Sequence, residues 1–101
     1  MRDSILALFN CINYLHTQAI DLTMLQLIIF LRIAQRGKCR TSELAEQMYV
    51  EDGNIRKILR KLTDRGLIEQ QTDELDPHKR PWIRCTDTGL DIIKKLEYLN
   101  A

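Results

Sequence analysis

Apolar residues recur at helical spacing over five stretches of this chain, and two short runs before the last of them read as strands. From Ser4 to Gln18, Ile5, Leu8, Phe9, Ile12 and Leu15 share one side of a helix. Leu6, Cys11 and Tyr14 widen that arc beyond what one neighbouring helix covers. Thr23-Met24-Leu25-Gln26 has capping-box spacing, in which the Thr hydroxyl accepts an amide and the Gln side chain reaches back. Leu22 and Leu27 supply the hydrophobic staple, and Gly37 after Arg36 supplies the stop of this second helix. Lys38-Cys39-Arg40 has room only for a single paired strand. Thr41 is the predicted cap of a third helix through Met48, with Glu43 in its first turn where the dipole favours an anion.

After Tyr49-Val50, the run Glu51-Asp52-Gly53-Asn54 predicts a turn with Asp52 as the cap of a fourth helix. Ile55, Ile58, Leu59 and Leu62 form its apolar stripe, and Arg65-Gly66 ends it. At about 100° per residue, Gly53, Lys57, Arg60 and Asp64 lie opposite the stripe, with Asn54, Arg56 and Lys61 on its flanks. Leu67 to Thr72 and Trp82 to Cys85 read as two strands joined through Asp73 to Pro81, where Asp76-Pro77 is a turn signal. Thr86 caps a last helix bearing Leu90, Ile92, Ile93, Leu96 and Leu99. Helix, turn, basic helix and hairpin in that order predict a mainly α fold: a winged helix-turn-helix with a small antiparallel β-hairpin wing. The chain reads as one domain over 1–101, with an N-terminal dimerisation helix at 1–20, the winged helix-turn-helix at 22–86 and a C-terminal helix at 87–101.

Composition changes this picture little, because 15 Lys and Arg stand against 14 Asp and Glu. Distribution changes it more. Up to Leu31 the only charges are Arg2, Asp3 and Asp21, whereas Arg32 to Arg84 holds twelve basic and nine acidic residues. Cys11, Cys39 and Cys85 are widely spaced, without CxxC or a ligand-spaced His, which argues for a reducing cytoplasm and against zinc or a disulfide framework. Leu25 to Ile33 is too short to span a bilayer, and the first residues lack the pattern of an export signal, so no membrane partner is expected.

Thr41-Ser42-Glu43-Leu44-Ala45-Glu46-Gln47-Met48, then Ile55 to Leu62, then Arg65-Gly66-Leu67-Ile68, then an Asp and basic residues ahead of Thr86-Asp87-Thr88-Gly89, resembles the multiple-antibiotic-resistance regulator (MarR) family of bacterial winged-helix regulators in a short form. The likeness covers about residues 20 to 93. It implies that Asn54 and Arg56 approach base edges in a major groove and that a wing arginine enters a minor groove. The family wing carries Asp-x-Arg at a fixed distance before Leu-Thr. Here the loop is longer and Cys85 replaces the Leu, so Arg80 is the first choice for that arginine and Lys79 the second. Family members add long C-terminal helices that frame an effector pocket; small-molecule sensing is not carried over here.

The resulting expectation is a sequence-specific regulator of transcription, a repressor that binds an inverted repeat in double-stranded DNA as a homodimer. Thr41, Gly53, Asn54, Arg56, Lys57, Arg60, Lys61, Lys79 and Arg80 are the DNA-binding candidates, Lys57, Arg60 and Lys61 being placed for phosphate. Ile5, Leu8, Phe9, Ile12, Leu15, Ile92, Leu96 and Leu99 are the dimer candidates, because small domains finish their cores by association. The alternative is a phage- or plasmid-type winged-helix module that docks on another protein. Cys11 reads as an inert core thiol, His78 as a solvated loop residue, and Trp82 and Tyr49 as core or hinge packing. No nucleophile with a base, phosphate-cradling glycine loop or metal spacing is visible, so neither catalysis nor a cofactor is expected.

Overall fold

The computed structural model describes residues 2–76, 78 and 80–100, with the side chain of Arg2 left aside. Its elements run α1 (Arg2–Thr17), α2 (Met24–Arg36), β1 (Lys38–Cys39), α3 (Thr41–Met48), α4 (Asp52–Asp64), β2 (Ile68–Gln71), β3 (Trp82–Cys85) and α5 (Asp87–Asn100). The three strands form one antiparallel sheet in the order β1-β3-β2, so the strand that returns from the wing is the central one.

The capping box at Thr23 is present. Its Oγ1 accepts the Gln26 amide at 3.2 Å while Gln26 Oε1 accepts the Thr23 amide at 3.0 Å, satisfying two amides that a helix start leaves open. Gly37 ends α2 at φ 84°, a conformation that side chains disfavour. Two predicted caps shift by one residue. Arg40 and Glu51 occupy the cap positions of α3 and α4, neither with a side-chain cap bond, and Thr41 and Asp52 are the first helical residues.

α4 buries its whole stripe, Ile55, Ile58, Leu59 and Leu62, in one core cluster with Ile29, Phe30 and Ile33 of α2, Leu44 of α3 and Ile83 of β3. Each such side chain contributes about 1.5–3 kcal/mol of transfer free energy, which makes this cluster the main support of the fold. α1 lies along α5, and the two helices resolve the expected dimer residues unevenly. Leu15, Ile92 and Leu96, expected at a dimer interface, are largely buried within this chain's own core, where α1 and α5 pack on the body. Ile5, Leu8, Phe9 and Ile12 stay more than half exposed and Leu99 is half-buried.

The root of α5 is unusually close to the sheet. Thr86 donates its amide to the Leu67 carbonyl at 3.1 Å and its hydroxyl to the Gly66 carbonyl, and its Oγ1 accepts the Gly89 amide at 3.0 Å. A Cβ on Gly89 would stand 2.2 Å from the Leu67 carbonyl oxygen, so only glycine fits there.

Candidate nucleic-acid interface

Burial of the α4 stripe dictates what the opposite side offers. Gly53, Asn54, Arg56, Lys57 and Arg60 are exposed and Lys61 is half-buried, so the outer face presents an amide and several cations at helical spacing. The head of α4 opens on a concavity of about 520 Å³ lined by Gly53, Asn54 and Lys57 with Tyr49 and Glu51. Tyr49 ends α3 in the left-handed region at φ 54° and is 96% exposed. It therefore serves the hinge through its backbone, and the side-chain packing expected of it does not occur.

A second concavity, of about 370 Å³, is lined by Thr41 at the start of α3, Arg56 on α4, Gln70 on β2 and Arg80 before β3. The fold thus brings three of the candidates, separated in sequence, to one surface. A single carboxylate links two of them. Asp52 Oδ2 is 2.9 Å from Arg56 Nη2 and 3.6 Å from Arg80 Nη1, with all three side chains about half exposed. Asp52 is already the first helical residue of α4, and its carboxylate faces the two guanidiniums.

The wing loop also holds a turn ahead of the expected one at Asp76-Pro77. The amide of Asp76 donates to the Asp73 carbonyl at 3.3 Å, closing a turn over residues 73–76, and Asp76 Oδ1 then accepts the His78 amide at 3.3 Å. Pro77 and the candidate Lys79 lie outside the described residues. Arg80 stands at the root of β3, beside Asp52, and not at the tip of the loop.

Sequence reasoning missed Arg40 and misplaced Trp82. The indole is half-buried at the surface, with Lys38 Nζ 4.8 Å and Arg40 Cζ 3.7 Å from its ring centroid, a cation–π arrangement and not core packing. The available signal was the alternation Lys38-Cys39-Arg40, which puts two cations on one face of a strand whose middle residue is buried. Cys39 and Cys85 sit beneath this surface, where burial pushes both thiols up to about 11, with Glu43 adding to the effect at Cys39. Cys11 is half-buried and donates its thiol to the Leu96 carbonyl at 3.5 Å. Among the described residues, no helix is long and apolar enough to cross a membrane.

A concavity that sets two guanidiniums and an amide around Pro81 and Ile83 can hold phosphates and base edges. Solved structures share the fold. A cysteine-to-serine variant of MarR from E. coli, complexed with operator DNA, is 18% identical with a TM-score of 0.71; the match covers 97% of this chain and 65% of that protein, so the chain spans less than two thirds of its length. A MarR-like transcriptional regulator from Thermotoga maritima is 22% identical over 90% of this chain and 68% of its own, with a TM-score of 0.73. A further MarR structure reaches 31% identity over 77% of this chain and 56% of that one, at a TM-score of 0.66. Among curated proteins no sequence matches the chain. The sequence model of the MarR family matches residues 22–77, the segment that runs from the staple of α2 into the wing loop, and the chain belongs to that family.

Proposed function

We propose that this chain is a sequence-specific, double-stranded-DNA-binding regulator of transcription, a repressor that acts as a homodimer in the cytoplasm. The observation that carries the reading is the convergence of Thr41, Arg56 and Arg80 on one concavity beside the exposed basic face of α4. In this reading α4 enters the major groove. Asn54 suits an adenine edge and Arg56 a guanine edge, while Lys57, Arg60 and Lys61 take phosphates. Arg80, with Lys79 as the second choice, serves the minor groove from the wing. The operator complex of the E. coli relative supports the class of partner.

The exposed Ile5, Leu8, Phe9 and Ile12, with Leu99 beside them, support a two-fold interface through the first and last helices, with 22–86 as the DNA-binding body. Such a dimer sets two α4 helices about 34 Å apart and requires an inverted repeat. Selection from a random duplex pool, followed by salt titration on the selected site, tests the reading. An inverted repeat whose affinity falls steeply with salt is expected. Selection of no sequence, or binding indifferent to salt, refutes it in favour of an apolar docking module.

A further inference from the structure

Arg40 has no task in the DNA-binding reading, yet its guanidinium engages three residues at once. Its guanidinium lies over Trp82, is ion-paired through Nη2 with Asp73 Oδ2, and donates from Nε to the Arg80 carbonyl at 3.3 Å. The ion pair is sheltered, with the two side chains only 18% and 12% exposed. Asp73 in turn shapes the start of the wing loop. Its Oδ1 accepts the amides of Leu75 at 3.1 Å and Asp76 at 3.3 Å. One side chain from the residue ahead of α3 therefore ties residue 73 to residue 80 while its own face lies over the ring.

A guanidinium can do this because its planar fork donates in several directions while its face stacks; an ammonium cannot do both. Joining the two ends of a loop removes much of its conformational freedom, so this tie decides how sharply the loop is placed. The constraint reaches the opposite side of the concavity. Arg80, whose carbonyl Arg40 holds, extends its guanidinium to the Asp52 oxygen that also takes Arg56.

We propose that Arg40 is the positioning residue of the wing, setting where Arg80 stands relative to Arg56 so that wing and α4 meet DNA as one unit. This rests on the DNA-binding reading above. Only a small part of the Arg40 side chain is accessible, so its effect runs through the loop and not through a phosphate of its own.

The test compares Arg40→Gln, Arg40→Lys, Arg80→Ala and the Arg40→Gln/Arg80→Ala double variant on a duplex selected by the wild-type chain. Amide hydrogen exchange at Leu75 and Asp76 is followed in the free proteins. Arg40→Gln and Arg80→Ala should each weaken binding roughly tenfold and the double variant little further, the coupling expected of two residues that act as one. The lysine variant, which keeps the charge and guards against a glutamine variant that fails to fold, should also lose affinity. The two amides should exchange faster when Arg40 is replaced but not when Arg80 is. Multiplying losses, a lysine variant that binds like wild type, or unchanged exchange would each overturn the proposal. A wild-type chain that selects no duplex would instead overturn the DNA-binding reading, and exchange would still decide whether Arg40 holds the loop.

Discussion

α1 and α4 are both amphipathic helices of similar length, and the fold treats them in opposite ways. α4 hides Ile55, Ile58, Leu59 and Leu62 completely or nearly so and turns its cations outward. α1 buries Leu15 and leaves Ile5, Leu6, Leu8, Phe9 and Ile12 more than half exposed. The difference lies in how each stripe is bounded. On α4, charged residues flank a narrow stripe, so one body of core satisfies it. On α1 the apolar arc is too wide for that body, and what is left over is surface suited to a second one.

The comparison breaks most visibly at the core. Leu62→Ala should destabilise the fold by about 2–5 kcal/mol in urea denaturation, since it opens a cavity among fully buried side chains. Ile5→Ala should change the stability of the monomer by no more than about 0.5 kcal/mol. Comparable losses would mean that the α1 face is already covered within one chain. Assembly comes next. Phe9→Glu should convert a dimer at micromolar concentration to a monomer in sedimentation equilibrium while the helical circular dichroism persists; an unchanged mass would remove α1 from the interface.

Asp52→Asn sharpens the other side of the contrast, the polar face of α4. It frees Arg56 and Arg80 and removes a negative charge from the concavity, so binding to the selected duplex should tighten by a few fold, the scale of exposed ion pairs. Weaker binding would show that the carboxylate is needed to hold the two arginines in place.

The smallest effect separates the thiols of the two regions. With their folded values pushed up to about 11 from an ordinary 9.0, Cys39 and Cys85 should resist a thiol reagent at pH 8 while half-buried Cys11 labels first. Below pH 9 each buried thiol is protonated in both states, so its ionisation costs the fold nothing. As pH rises from 9 through 11 the unfolded thiol ionises first, so that part of the stability is lost, which a denaturation series across this range would detect.

Much of the fold was legible in residue order. The Thr23 capping box, the Gly37 stop, the α4 stripe and the Thr86 cap depend on neighbours within a turn, and they stand where local rules put them. The shifted caps at Thr41 and Asp52 show where such rules end. The Asp52 carboxylate faces two guanidiniums, one of them on the wing. The exposed basic residues of α4 were readable from the stripe alone, whereas Arg40 was not. Its partners are 33 and 40 residues away and meet it only through the register of a two-residue strand.

Gly89 has a mechanical consequence. With a backbone carbonyl where a side chain would be, and two hydrogen bonds from Thr86 to Gly66 and Leu67, the start of α5 is held directly against the residues that lead into β2. The joint is a weld and not a hinge. A tilt of α5 should therefore carry the root of the hairpin with it, because no side chain at Gly89 separates the two.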